Sequence, residues 1–457
     1  MQVFNRYVST RGLTVFATEL LLISGSVALA AAAQNAQNLT GNLWKVGLVT
    51  IVCQLCLYFN DFYDLTIVQS NRELVVRLLQ AAGAASILLA ALYVAAPGLM
   101  IGDGIFVSAL IGFLVGILGW RLLFNRLTRS LRLEERVLVV GTGEAARKVT
   151  RQILDQKDFA YRVVGFIDQD PRRIGERIVN PGVIGTPADI PRLIAEHQID
   201  RIIVGMTDRR GTFPTNELLQ AKLSGVRVED ATTTYERITG KILIDDLRPS
   251  WLIFSDGFRV SRLTRWLKRG IDIALSVSLA VLTAPLMLLT AIAVALESGS
   301  PVLYCQERVG EHGRTFTLRK FRSMRLDAED GGTPVWARDG DERVTRVGRF
   351  IRLTRLDELP QLWNVLRGDM SFVGPRPERP FFVAALSKAI PYYQQRHVVK
   401  PGITGWAQVR YRYGASIEDA TEKLRYDLYY IKHLSIFFDL TIVFDTVKVV
   451  LFRKGAA

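Results

Sequence analysis

Cysteine is scarce in this 457-residue chain, which holds only Cys53, Cys56 and Cys305. Cys53 and Cys56 form a CxxC, but it lies inside an apolar run with no second pair and no nearby histidine. The spacing therefore reads as small residues packing within a helix, not as a zinc site. Basic clusters interleaved with aromatics, the footprint of nucleic-acid binding, are missing as well. So is the small-residue cleavage pattern that would make the first apolar run a signal peptide. What the chain does hold is a mixture of solvents: 49% of its residues are hydrophobic, 22% are charged, and the formal net charge is +14. Greasy and watery parts must alternate over two or three domains. The positive excess suits an anionic membrane surface or phosphorylated small molecules.

Four apolar stretches precede residue 125, over roughly 13–33, 44–63, 74–96 and 105–124, each near the ~20 residues a spanning helix needs. Two of the connecting loops, "AQNAQNLTGN" and "APGLMIGDG", contain no Lys or Arg. Arg6 and Arg11 precede the first stretch, Arg72 and Arg77 lie between the second and third, and Arg121, Arg126, Arg129, Arg132 and Arg136 follow the fourth. The positive-inside rule then places the N-terminus and everything after Arg121 in the cytoplasm. Asn60, Asp61 and Asp64 read as interfacial residues at the cytoplasmic end of the second stretch.

"RVLVVGTGEAARKVTRQIL" reads as a buried strand, a tight glycine turn and an amphipathic helix. Gly141, Gly143 and Ala146 fit G-x-G-x-x-A, the form that lets a pyrophosphate approach a helix N-terminus. The strand "RVVGFIDQD" carries Asp168 where an acid bonds a ribose, and "DRIIVGM" and "GVRVED" supply further strands. A doubly wound, Rossmann-like α/β domain over about 133–235 is expected. The last glycine of the motif is replaced and Asp168 lies farther along than the usual ~20 residues. Two uses stay open: a nucleotide site at Gly141, Gly143 and Asp168, or a module for packing, oligomerisation or regulation.

A fifth apolar run, Ile271 to Glu297, is long enough to cross a bilayer. Both its flanks are basic, with Arg265, Lys268 and Arg269 before it and Arg308, Arg314, Arg319 and Arg322 after it. A span cannot satisfy the positive-inside rule at both ends. Pro285 removes a backbone donor near the middle, so the expectation is a re-entrant helix–break–helix that returns to the leaflet it entered.

The stretch "RLTRLDELPQLWNVLRGDMSFVGPRPERP", from Arg352 to Pro380, sets Asp357 and Glu358 among arginines. Leu356, Leu359, Leu362, Trp363 and Leu366 recur at near-helical spacing, and Pro360 is tolerated only near a helix start. The acids then sit at or just before a helix N-terminus, which favours anions. Adjacent residues point about 100° apart, so the two carboxylates face different partners. One carboxylate can hold Mg²⁺ together with phosphate oxygens, leaving the other free to attack phosphorus. Lys320, Arg322, Arg352, Arg355, Arg376 and Arg379 are the candidate phosphate-binding cations, with Pro375 and Pro377 pinning Arg376. "TFTLRKFRSM" and "GWAQVRYRY" read as strands. "YDLYYIKHLSIFFDLTIVFDTVKVVLF" reads as an interface-lying helical segment, with a buried core helix or a last span as its alternatives, the charges of Asp439, Asp445 and Lys448 weighing against these.

Together, "QERVGEHGRTFTLRKFRSM", "LDELPQLWNVLRGDMSFVGPRPE", "KPGITGWAQV" and the terminal segment resemble the bacterial sugar transferases, monotopic polyprenyl-phosphate phosphoglycosyl transferases, over roughly 260–457. The added spans and the Rossmann-like domain resemble the large members of that family. The resemblance implies transfer of a sugar 1-phosphate from a UDP-sugar to undecaprenyl phosphate, with UMP released. Asp357 is then the nucleophile and Glu358 the Mg²⁺ ligand, while Lys320, Arg352 and Arg376 hold phosphates. Arg355, Arg367 and Arg379 return to ordinary surface charge. The family's hairpin usually has Ser before its kink proline, where this chain has Ala284.

The expected architecture is a membrane protein with four parts: a four-helix transmembrane region (1–130), a Rossmann-like α/β domain (131–240), a linker (241–262) and an α+β monotopic catalytic domain with a re-entrant helix (263–457). Its expected address is the cytoplasmic face of a bacterial inner membrane. The expected partners are UDP-sugar, undecaprenyl phosphate and membrane lipid, with no nucleic acid, and a homodimer through the added domains. Two rivals remain. A membrane-bound sugar-nucleotide dehydratase or epimerase would need a Tyr-x-x-x-Lys pair, and no tyrosine here has lysine four residues on. A non-catalytic regulator of polysaccharide export would leave Asp357 dispensable.

Overall fold

The computed structural model describes residues 2–3, 6–7, 10–33, 43–60, 62–63, 71–101, 105–130, 134–155, 161–206, 213–244, 257–258, 260–329, 341–411, 414 and 416–452. Asp61, Asp64 and Arg132 lie outside them. The chain falls into two compact units, Tyr7–Thr234 and Tyr235–Ala457, the second also taking in Gln2–Arg6.

In the first unit, helices Thr10–Ala33, Leu43–Phe59, Asn71–Ala95 and Ile105–Ser130 pack around an apolar core that includes Ile23, Leu57, Leu78, Phe113 and Ile117. Cys53 and Cys56 are buried in that core as free thiols. Leu21, Leu29, Ile87 and Val115 point outward, as side chains do on a surface made for lipid. Three of these helices are long and apolar enough to cross a membrane over Thr14–Ala33, Arg72–Ala95 and Ile105–Phe124. The second is shorter than expected, 17 residues, or about 26 Å at 1.5 Å per residue. It stops where Asn60 turns back, its Nδ2 donating to the Cys56 carbonyl at 2.8 Å.

Arg121 also departs from expectation. It is no loop charge but a core residue, 2% exposed, with its Nε on Glu19 at 2.6 Å and its guanidinium over the Phe62 ring. A charge at that depth is tolerated because it is paired and stacked.

The same unit contains a five-stranded sheet: β1 (Glu135–Val140), β2 (Tyr161–Ile167), β3 (Val183–Gly185), β4 (Arg201–Val204) and β5 (Arg227–Asp230). All its pairs are parallel and the order is β3-β2-β1-β4-β5. The chain steps one way from β1 and then returns to step the other way, so a crevice opens between β1 and β4. Gly141 leaves β1 at φ +99°, and a Cβ there would meet the Gly205 backbone at 3.0 Å. Both the turn and the close approach require glycine.

The second unit contains one 37-residue helix, Arg262–Ser298, capped by the Ser261 side chain and ended by Gly299 at φ +73°. The expected break does not occur: Pro285 lies inside a continuous helix. A proline removes a single backbone donor, which bends a helix without ending it when the flanking residues favour helix. Val281, Leu282, Leu288, Leu289 and Leu296 are widely exposed along this helix, which is also apolar enough to cross a membrane.

The base of the helix is polar and grips the site. Lys268 Nζ donates to the Val373 carbonyl (3.0 Å) and to Asp439 (2.7 Å). Arg269 donates to the carbonyls of Val365 and Leu366, at the end of the helix Gln361–Arg367. Asp272 accepts from the Ser371 hydroxyl and the Phe372 N–H. Lys268 and Arg269, counted in the sequence as flanking charge, are structural clamps.

An antiparallel hairpin follows, Leu303–Val309 with Thr315–Phe321, as the strand-like "TFTLRKF" leads one to expect. "GWAQVRYRY" is different: Trp406–Arg410 is a short helix. Burial of Trp406 against Tyr429 and Phe438, with its indole N–H on the Gly240 carbonyl, overrides the strand pattern. The terminal segment is two helices, Ile417–Lys432 and Ile436–Phe452. Tyr426, Leu428, Tyr429 and Tyr430 of the first are core. The second buries Phe438 and Ile442 and leaves Phe437, Leu440, Phe444, Val447 and Val450 exposed as a stripe.

Candidate active site

Asp357 and Glu358 occupy a one-turn 3-10 helix, Leu356–Glu358, immediately before the helix Gln361–Arg367 capped at Pro360. The chain reaches this turn through Arg355, held at φ +59°. For a non-glycine residue that conformation costs about 1 kcal/mol. It folds the Arg355 guanidinium back onto Glu358 Oε1 at 3.3 Å. Arg376 Nη2 donates to the same oxygen at 3.0 Å. Arg355, read from the sequence as surface charge, is thus part of the site, whereas Arg367 is 65% exposed beside Asp369.

The two carboxylates are treated differently. Asp357 is 7% exposed, and its Oδ1 is buried without a hydrogen-bond partner. Burial first, and then the neighbouring Glu358, push its carboxyl up to about 6, against the pull of Lys320, Arg352 and Arg355. Burial also acts to raise Glu358, but Arg376 and Arg355 outweigh it and leave that carboxyl below its ordinary value.

Lys320 stands in the hairpin opposite Tyr304, with its ammonium 5.2 Å from the ring centre. Burial, followed by the charge of Arg308, brings its amine down to about 8. Asn364 registers this hairpin on the dyad's helix, donating to the Thr317 carbonyl and accepting from the Arg319 N–H. Arg352 is held by the Ser323 hydroxyl at 2.8 Å. Lys320, Arg352, Arg376, Asp357 and Glu358 are therefore brought together. Arg322 is not among them: it is buried, and its Nη2 caps the end of the long helix at the Ser298 and Gly299 carbonyls.

Sequence reasoning missed Asn364, Ser323, the buried Arg396 and the role of Arg308. An arginine buried for its hydrogen bonds leaves no hydrophobic period to read. The only signal was position, Arg396 standing just before "KPGITG".

In the parallel-sheet domain, Gly141 and Gly143 form the turn after β1 and Asp168 follows β2. The Asp168 carboxylate takes the Thr142 hydroxyl, Arg173 (2.7 Å) and the Asp170 N–H (3.0 Å). Burial opposes ionisation there, but the Thr142 hydroxyl, the Asp170 N–H and Arg173 prevail, and the carboxyl lies below its ordinary value. The place where a ribose would bond is engaged by the domain itself.

The second unit thus holds an acid pair among guanidinium and ammonium groups, in the same unit as a long apolar helix: a cationic centre in a protein with helices able to cross a membrane. A family profile described as bacterial sugar transferase matches residues 263–453, and one described as CoA-binding domain matches residues 58–211. A UDP-N-acetylgalactosamine-undecaprenyl-phosphate N-acetylgalactosaminephosphotransferase of Aeromonas hydrophila is 44% identical over 52% of this chain and 56% of that protein. An undecaprenyl-phosphate glucose phosphotransferase of Komagataeibacter xylinus is 35% identical over 72% of this chain and 61% of that protein. A UDP-glucose:undecaprenyl-phosphate glucose-1-phosphate transferase of Xanthomonas campestris pv. campestris is 32% identical over 76% of this chain and 73% of that protein. The chain spans less than two thirds of the length of the first two. It belongs to the bacterial sugar transferase family.

Proposed function

We propose that the protein transfers a sugar 1-phosphate from a UDP-sugar to undecaprenyl phosphate, with release of UMP, through a phosphosugar carried on Asp357. The observation that carries this reading is the asymmetry of the dyad. Glu358 is held by two guanidinium groups, while the Asp357 oxygen beside it is buried, unbonded and ringed by cations. That is the condition of a nucleophile kept free for phosphorus. The names of the relatives support the lipid acceptor and the donor class.

In the first half-reaction an Asp357 oxygen bonds the sugar-bearing phosphorus as the bond to the bridging oxygen breaks, and UMP leaves with that electron pair. In the second, an oxygen of undecaprenyl phosphate bonds the same phosphorus and Asp357 departs as carboxylate. Lys320, Arg352 and Arg376 hold phosphate oxygens and offset the charge that builds there. The adjacent carboxylates of Asp357 and Glu358 are hard oxygen donors of the kind Mg²⁺ takes one or two of beside substrate phosphates; among the described residues no three His, Cys, Asp or Glu gather to hold a metal by themselves. Glu358 would hold the ion, which when bound neutralises pyrophosphate charge.

The long helix runs unbroken through Pro285, so both of its ends can face one leaflet only if it bends at that proline in the membrane; in this proposal it does, keeping the site at the cytoplasmic face of a bacterial inner membrane. There the product would begin exopolysaccharide, O-antigen or capsule assembly. Cysteines at Ser261 and Ser300, on either side of the helix, should then be labelled from one side only; labelling from opposite sides would make it a span.

The chemical test omits the lipid. Purified protein with Mg²⁺ and radiolabelled UDP-sugars should release UMP and retain label on the chain, and Asp357→Asn should do neither. Inactivity of the folded parent with every UDP-sugar would sink the proposal.

A further inference from the structure

"GPRPERP" poses a problem of backbone control. Pro375 and Pro377 fix φ but provide no N–H, so the loop cannot be held by an ordinary ladder of hydrogen bonds. It is held by its carbonyls instead. The Gly402 N–H donates to Pro375 O (2.9 Å), Arg396 Nη2 to Arg376 O (3.0 Å), Arg308 Nη1 to Pro377 O (3.0 Å) and the Val309 N–H to Glu378 O (2.9 Å). Successive carbonyls are gripped from different parts of the unit.

The grip on Arg376 is unlike the others, because its donor is itself locked. Arg396 is 6% exposed. Its Nε and Nη2 lie on Asp427 (3.1 and 2.8 Å), and its Nη1 donates to the Tyr393 hydroxyl (2.7 Å). Asp427 is 1% exposed. Burying such a pair yields little net stability by itself. What it does supply is a rigid guanidinium whose fork points one donor at the backbone of the residue that reaches Glu358.

We propose that Arg396 is a positioning residue for the phosphate clamp, holding the Arg376 carbonyl and thereby aiming the Arg376 guanidinium. This rests on the reading of Arg376 as a phosphate-binding group. Arg396→Lys keeps the charge and can keep the Asp427 pair, but one ammonium cannot replace the fork. Tyr393→Phe removes only the hydroxyl that steadies it.

The test is a double-mutant cycle in the full-length protein, measuring UMP release against UDP-sugar concentration for Arg396→Lys, Arg376→Ala and the pair. Arg396→Lys should raise KM about tenfold, the size of coupling expected for groups in one network. It should add no loss in the Arg376→Ala background, while the unfolding temperature stays near the parent's. Tyr393→Phe should give a smaller shift in the same direction and stands in if Arg396→Lys fails to fold. If the two losses multiply, or if both Arg396→Lys and Tyr393→Phe are silent, the proposal is overturned and the Arg376 clamp stands. If Arg376→Ala is itself silent, the clamp reading falls and the proposal falls with it.

Discussion

Two aspartates in this molecule sit beside arginines, and their surroundings are opposite. Asp168, in the parallel-sheet domain, has its oxygens taken by Thr142, Arg173 and the Asp170 N–H. Asp357 has cations around it but leaves Oδ1 buried and unbonded. Proximity to arginine therefore says little about chemistry. An acid with every oxygen satisfied fits a scaffold role, and an acid left unsatisfied among cations is a candidate for a ligand.

The largest expected effect comes from making the same change at both positions. Asp357→Asn should lower UMP release on the order of a thousandfold or more, as removal of an attacking group does. Asp168→Asn should leave release within about twofold of the parent, a loss typical of residues outside the chemistry. Unfolding should show the reverse. Asp168→Asn forfeits charge-assisted hydrogen bonds and should cost about 1–3 kcal/mol, whereas Asp357→Asn should not lower the unfolding temperature. A loss of transfer in Asp168→Asn that matches Asp357→Asn would erase the distinction and give the first unit a part in the reaction.

Acid titration sharpens the contrast. Asp357 must be ionised to attack, so UMP release should fall as pH drops through about 6. Removing the neighbouring negative charge with Glu358→Gln should move that limb to lower pH, and removing a positive one with Arg352→Gln should move it higher. Lys320, brought down to about 8 by burial and then by the charge of Arg308, should give an alkaline limb near that pH as the ammonium loses its proton. The linkage to stability has opposite signs. The raised Asp357 carboxyl contributes stability below its ordinary value, and this is lost as pH rises through the folded one. The lowered Asp168 carboxyl contributes above its ordinary value, and this is lost as pH falls. pH–rate profiles across about pH 4–9 check the limbs, and unfolding midpoints carried down to about pH 2 check the linkage.

Much of the architecture was legible because it is written in period and punctuation. Apolar runs marked the membrane helices, and Gly141 after "RVLVV" marked the first crossover of the sheet. The motif residues Lys320, Arg352, Asp357, Glu358 and Arg376 were legible as a group and do converge. What was illegible depended on partners distant in sequence. Arg121 turned inward to Glu19, Trp406 folded its strand-like segment into a helix, and Pro285 left its helix unbroken. Arg396 acts on the backbone of Arg376, and no local pattern encodes that.

The smallest effect expected separates two arginines that look alike in the sequence. Arg355 and Arg367 flank the dyad on either side, and both read as surface charge. Arg355, at φ +59°, lies on Glu358 Oε1, whereas Arg367 is mostly exposed beside Asp369. Arg367→Ala should change kcat/KM by less than about twofold, as an exposed ion pair of roughly 0–1 kcal/mol allows. Arg355→Ala removes a guanidinium from a buried carboxylate and should cost about tenfold. Arg355→Gly sharpens this further: it relieves the left-handed backbone while removing the same charge. If Arg355→Gly is more stable than Arg355→Ala yet equally impaired in kcat/KM, the strain at φ +59° serves to aim the side chain. Equal stability of the two would leave that strain without a part in the site.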